Sequence, residues 1–168
     1  DEESRVEVLK KDGIDPDAEF LLSPRLAKEY HGIYIILDAW REFEKARDSK
    51  KRLVILRAGT KDHDWKACVD YVRDLECERV DLVDHYLSFE EMAAYYSSAR
   101  GVVMMTKTDL LAMSLLECLA CGSVPIVPLH PSYAAVMADA KYDDSPLARG
   151  YVVGERTVAA LLREIERW

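Results

Sequence analysis

Six short apolar runs recur along this chain, each followed or preceded by a stretch with helical spacing, and that alternation most restricts its fold. The runs are Phe20-Leu21-Leu22, Arg52 to Ala58 (RLVILRA), Val80-Asp81-Leu82-Val83, Gly101 to Met105 (GVVMM), Val124 to Pro128 (VPIVP) and Tyr151-Val152-Val153. Most are apolar on consecutive residues rather than on every second one, so they read as strands covered on both faces, which is the habit of a parallel sheet. Between them, Ile33, Ile36, Leu37, Trp40 and Phe43 fall at helical spacing within Gly32 to Ala46. Trp65, Cys68, Val69, Val72 and Leu75 do the same within Asp64 to Leu75, and Val158, Leu161, Leu162, Ile165 and Trp168 within Thr157 to Trp168. Ser88-Phe89-Glu90-Glu91 reads as a capping box opening a helix through Tyr95 and Tyr96, which are expected to divide between packing and surface. Leu110 to Cys121 and Ser132 to Ala138 are further predicted helices. The predicted class is α/β: a doubly wound, mostly parallel six-stranded sheet with helices on both faces, Rossmann-like.

A chain of 168 residues suffices for one well-filled domain or for half of a larger two-domain enzyme. Residues 1–168 read as a single domain, with 1–18 a polar, partly flexible lead-in that ends in a turn around Asp12-Gly13-Ile14-Asp15-Pro16. The chain opens without methionine and stops inside a helical pattern, so a fragment of a longer polypeptide is expected. Its formal charge of -8, from 31 acidic and 23 basic residues, argues against nucleic acid as a partner, because phosphate-backbone binding needs a concentrated basic surface. No stretch reaches the ~18–20 apolar residues of a membrane span, and no signal peptide opens the sequence. Cys118 and Cys121 have the spacing of a metal or redox pair but lack a second pair, so all four cysteines read as buried small hydrophobes suited to a reducing, cytoplasmic compartment. No metal site is expected.

In a doubly wound sheet, ligands lie beyond the carboxyl ends of the strands, where strand order reverses. The loops worth reading are therefore Ser23 to Gly32, Arg57 to His63, Asp84 to Leu87, Thr106 to Ser114 and Pro128 to Tyr133. In the fourth, the strand ending at Met105 turns into an apolar helix whose free backbone N–H groups attract anions such as a diphosphate. Asp109, just ahead of that helix, is either an ordinary cap or an acceptor for neutral hydroxyls. Glu117, two turns on in an oily helix, is either a structural acid with a polar neighbour or a group that reaches the hydroxyls of a ribose. In the first loop, Arg25 offers a planar charged fork suited to phosphate oxygens, with Lys28 and His31 nearby; the alternative is a solvated loop with Arg25 paired to a carboxylate. His85 either contacts a base or sugar or is a surface or packing histidine. No dinucleotide fingerprint, phosphate-loop motif or nucleophile elbow is present.

Four stretches together resemble the C-terminal, donor-binding half of a GT-B fold glycosyltransferase, of the large retaining class that includes glycogen and sucrose synthases and many mannosyl and glucosyl transferases. They are FLLSPRLAKEYHG, KRLVILRAGT, the SFEEMAAYYSSAR helix with its following strand, and DLLAMSLLECLACGSVPIVP, and the likeness runs from Phe20 to Ala138. The last stretch is similar to the family pattern of an acid, seven residues and a glutamate before a small-residue helix end, glycine, proline and strand.

The resemblance implies transfer of a sugar from a UDP-, GDP- or ADP-sugar to an acceptor with retention, without a tightly bound cofactor or a metal. It implies catalytic roles for Arg25 and Asp109, the first at the phosphates and the second at sugar hydroxyls near carbons 3 and 4. The donor would further be bound by Lys28, His31 and His85, by backbone N–H groups of Ala112, Met113 and Ser114, and by Glu117 at the ribose. An N-terminal domain would supply the acceptor site, and the chain alone would bind donor without transferring it. Three departures stand out: Asp109 where glutamate is common, His31 in place of the lysine before glycine, and alanine at 58 and 112 where glycine is usual. They admit a second reading, a non-catalytic nucleotide- or sugar-binding or scaffold module on the same fold.

Overall fold

The computed structural model describes residues 2–47, 49–110, 113–139 and 150–168. Among them the strands are β1 (Phe20–Ser23), β2 (Arg52–Leu56), β3 (Val80–Val83), β4 (Gly101–Val103), β5 (Val124–Pro128) and β6 (Tyr151–Val153). The helices are α1 (Glu2–Lys11), α2 (Ile33–Ala46), α3 (Asp62–Asp74), α4 (Phe89–Ser98), α5 (Met113–Ala120), α6 (Pro131–Asp139) and α7 (Val158–Arg167), with a 3-10 turn at Glu29–His31 ahead of α2. All neighbouring strands pair parallel in the order β3-β2-β1-β4-β5-β6, so the order reverses between β1 and β4.

The consecutive apolar residues of the strands divide between two cores, as the pleat requires. Leu21, Leu53, Ile55, Val103 and Ile126 face a layer made by α2, α3 and α7, including Trp40, Trp65 and Leu161. Phe20, Leu22, Val54, Val102 and Val127 face a second layer with Leu9, Tyr95, Leu115 and Tyr133 from α1, α4, α5 and α6. Burial of apolar surface on both faces, at about 25 cal/mol per Å², is what holds the sheet between its helices. The Ser88 capping box is formed in full, and Thr157 accepts from the Ala160 N–H to start α7.

The apolar pattern predicts no element before Phe20, yet Glu2–Lys11 is helical and packs against α4. Its signal lies in charge instead: Glu2 and Glu3 stand in the first turn and Lys10 and Lys11 in the last, an arrangement that complements the helix dipole. Gly13, at φ 73°, then closes the helix, with its N–H on Lys10 and that of Ile14 on Leu9. No helix among the described residues is long and apolar enough to cross a membrane.

Candidate functional site

The loops that leave β1 and β4 diverge at the strand-order reversal, and they carry Arg25 and Asp109. Arg25 Nη2 lies 3.3 Å from Asp109 Oδ2, with side chains only 20% and 11% exposed, so the pair is largely withdrawn from water. Arg25 Nη1 also donates to Ser114 Oγ at 3.4 Å, in the first turn of α5 as described. A third group completes the cluster: the buried Tyr133 of α6 donates its phenol to the same Asp109 oxygen at 3.1 Å. Loops after β1, β4 and β5 therefore converge on one guanidinium and one carboxylate. The cluster sets a guanidinium, a carboxylate and a phenol side by side at the strand ends.

Local sequence explains why these loops meet. Gly32 adopts φ 77°, and a Cβ built there would stand 2.4 Å from the Met105 carbonyl oxygen, so only glycine lets the β1 loop close on the end of β4. The Lys107 N–H then donates to the Tyr30 carbonyl at 3.0 Å, and the Tyr30 phenol bonds Thr108. His31 Nδ1 lies 3.4 Å from Thr106 Oγ1. Burial, aided by Arg25, pushes the His31 pKa below its ordinary value, against the opposing pull of Asp109; Lys28 and Arg156 act in the same direction as Arg25. Near neutrality His31 is thus an uncharged imidazole. On the other side, the Ala27 N–H donates to the buried Thr60 hydroxyl at 2.9 Å, tying the β1 loop to the one after β2.

Glu117 points toward α4, where Tyr96 donates to its Oε2 at 3.0 Å. Tyr96 is fully buried, and burial together with the Glu117 carboxylate raises its pKa, so it remains a proton donor. Tyr95 behaves alike, donating to Asp12 Oδ2 at 2.6 Å. Both tyrosines are therefore inward, which corrects the expected division between packing and surface. Ser114, bonded to Arg25, and Glu117, bonded to Tyr96, are one helical turn apart on α5, which sets the arginine cluster beside a neighbouring cavity. That cavity, of about 770 Å³, lies between the ends of β2 and β3, α4 and α5, lined by Ala58, Gly59, Tyr86, Phe89, Tyr96 and Glu117 among others. Ala58 takes the left-handed φ of 47°, the conformation a glycine would hold more easily.

Other expected residues are engaged elsewhere. Lys28 Nζ lies 3.1 Å from Asp64 in the first turn of α3. His85 Nε2 lies 2.7 Å from Asp12 Oδ1, and this bond raises its pKa; His85 does not line the cavity although its neighbour Tyr86 does. Arg57 is held by Asp84 and Asp62. Met113 stands half exposed at the first described residue of α5, and Ala112 lies outside the described residues. Among the described residues no group of three or more His, Cys, Asp or Glu side chains could hold a metal ion. Sequence reading missed Tyr96, Tyr133 and Arg156. The two tyrosines were findable as polar handles on otherwise apolar faces, whereas Arg156 carried no local signal.

A parallel, doubly wound sheet with charged groups gathered at its strand-order reversal defines a Rossmann-like α/β domain. The chain belongs to the family described as Glycosyl transferases group 1, which its sequence matches over residues 18–168, from just ahead of β1 to the end of α7. Similar solved structures include a glycosyltransferase from Rickettsia africae, with TM-score 0.80 and 11% identity over 98% of this chain and 41% of that one. Sucrose-phosphate synthase from Thermosynechococcus elongatus gives TM-score 0.75 and 17% identity over 96% of this chain and 39% of that one. The N-terminal domain of Candida albicans trehalose-6-phosphate phosphatase gives 0.74 and 14% over 99% and 36%. The chain thus spans less than half the length of each of these structures. No curated protein matches it.

Proposed function

We propose that this chain is the donor-binding half of a retaining glycosyltransferase, holding a nucleoside diphosphate sugar across the ends of β1, β4 and β5. In this reading Arg25 and N–H groups at the start of α5 receive the diphosphate, and Glu117 receives the ribose hydroxyls. The base enters the cavity beside Tyr86 and Phe89, and Asp109 accepts from hydroxyls of the transferred sugar. The single observation that carries the reading is the convergence of Arg25, Asp109 and Ser114, with Glu117 one turn further along α5.

The chemistry follows from where charge appears. As the bond between the anomeric carbon and the phosphate oxygen breaks, the electron pair stays on the leaving diphosphate. Donors already aimed at that oxygen lower the barrier, and loss of one costs roughly 3 kcal/mol. Arg25 supplies a permanent charge there without a metal ion. His31, its pKa held below the ordinary value by burial and Arg25, supplies a hydrogen bond there near neutrality. The acceptor and its chemistry belong to an N-terminal domain of the same polypeptide in this reading. Exposed Phe89, Tyr86, Leu110, Met113 and Leu129 stand on loops or helix starts following strands, an apolar rim that such a domain would cover. The four free thiols suit a reducing, cytoplasmic setting.

A second reading, a nucleotide- or sugar-binding module without catalysis, draws on one observation: an uncharged His31 stands where the resembled family carries a lysine. Calorimetry of the chain with UDP, GDP and ADP tests the binding that both share. Binding of one of them, weakened at least about tenfold by Arg25→Ala or Glu117→Ala, supports donor recognition; no binding of any would remove it. Sugar transfer by the full-length protein, abolished by Arg25→Ala, then separates enzyme from module.

A further inference from the structure

Arg156 lies just beyond the end of β6, two strands away from β4, yet its side chain bonds the loops of the candidate site. Nε donates to the Met105 carbonyl, and Nη2 donates to the carbonyls of Glu29 at 2.9 Å and Tyr30 at 3.4 Å. These are backbone oxygens at the end of one strand and within one 3-10 turn, where regular pairing has stopped and acceptors need outside donors. Two of them already serve the local fold: Glu29 accepts from the Gly32 N–H, and Tyr30 accepts from the Lys107 N–H. Among the described residues, no carboxylate forms an ion pair with Arg156 within 4.0 Å. A planar fork can bridge three carbonyls at once, whereas a lysine ammonium in the same place satisfies them only as a point charge.

We propose that Arg156 is a positioning residue for the anion site: it locks the 3-10 turn to the end of β4 and so fixes the spacing of Arg25, His31 and Asp109. The turn it grips contains His31, and the strand end it grips leads through Thr106 to Asp109. Gly32 brings the two segments into contact and Arg156 holds them from the far side. Its cation also bears on His31, together with Arg25 and Lys28 and against Asp109. The proposal rests on the crevice being a diphosphate site, and it assigns to the otherwise unremarked β6–α7 loop a part in building that site.

The test uses this chain with Arg156→Gln and Arg156→Lys, following the His31 ring by NMR across the weakly acidic range and pyrophosphate binding by calorimetry. Arg156→Gln should move the His31 midpoint up toward its ordinary 6.5 and weaken pyrophosphate about tenfold. Arg156→Lys keeps the charge, so the His31 midpoint should stay low, but the lost fork should still weaken pyrophosphate several-fold. In both variants the Lys107 amide, bonded to Tyr30, should exchange faster than in the unaltered chain while the sheet amides do not. Unchanged His31 titration, Lys107 exchange and pyrophosphate affinity in both variants would overturn the proposal. If the unaltered chain binds no pyrophosphate while Arg156→Gln still shifts His31 and frees Lys107, the diphosphate reading fails and the hold of Arg156 on the turn stands.

Discussion

The phenol of Tyr96 donates to Glu117 Oε2 across the interface of α4 and α5, at 3.0 Å. This bond resolves the question raised by an acid in an apolar helix: the carboxylate has found a buried donor, and one of its two oxygens is committed to the fold. Tyr96→Phe should lower unfolding stability by about 1–3 kcal/mol, because Glu117 keeps its desolvation without its partner. Urea titration measures the loss. A value within a few tenths of a kcal/mol of the unaltered chain would show that Glu117 is already well solvated.

Two backbone positions should respond in opposite directions. Gly32→Ala places a methyl group 2.4 Å from the Met105 oxygen at a left-handed φ, and should cost more than the roughly 1–2 kcal/mol of the backbone conformation alone. Ala58→Gly relieves a φ of 47° and should be neutral or stabilising by up to about 1 kcal/mol. Thermal unfolding of the two variants checks both signs.

His31 and His85 oppose one another in acid. Burial and then Arg25 hold the folded His31 below its ordinary value, so the unfolded chain takes up the proton first as pH falls. That contribution to stability is present above the unfolded value and is lost as the pH falls through the folded one. The bond to Asp12 raises His85, so its contribution is present below the unfolded value and is lost as the pH rises through the folded one. His31→Gln should flatten the acid-side decline in urea midpoint and His85→Gln the decline on the way to neutrality. Anion binding should also draw a proton onto His31, visible as a buffer-dependent heat in calorimetry just below its ordinary 6.5.

Tyr133 donates to the Asp109 oxygen that Arg25 also approaches, which fixes the carboxylate's orientation. Tyr133→Phe should leave nucleoside diphosphate affinity within about twofold and reduce affinity for the matching nucleotide sugar by about five- to tenfold. Competition calorimetry with the two ligands separates them. An equal loss for both would assign Tyr133 to packing alone.

The sheet was legible because its strands are apolar on consecutive residues and its helices carry clean apolar stripes. Val80–Val83, with Asp81 inside it, was the weakest of these, and the structure shows why: Asp81 is paired with Arg52 on the adjacent β2, at 2.5 Å. Helix α1 escaped a pattern search because Leu9 is its one buried side chain and only its charges mark its ends. In the site, Arg25 and Asp109 were legible from the loops that bear them, since residue type and strand-end position locate such groups together. Lys28 and His85 were equally well placed by sequence, but their choice among Asp64, Asp12 and the crevice depends on side-chain direction, which spacing does not encode. Arg156 was invisible because it acts through the backbone oxygens of Met105, Glu29 and Tyr30, all distant along the chain.

The nearness of Asp109 to Arg25 has a selective effect on what can settle there. The guanidinium already holds a tethered anion at high local concentration, and a freely diffusing small anion has to displace it while leaving the carboxylate with the Tyr133 phenol as its remaining donor. A molecule that presents an anionic group to the arginine and a proton donor to the aspartate compensates both partners at once. Occupancy is thereby biased against solitary ions from the medium and toward bifunctional ligands of the right length.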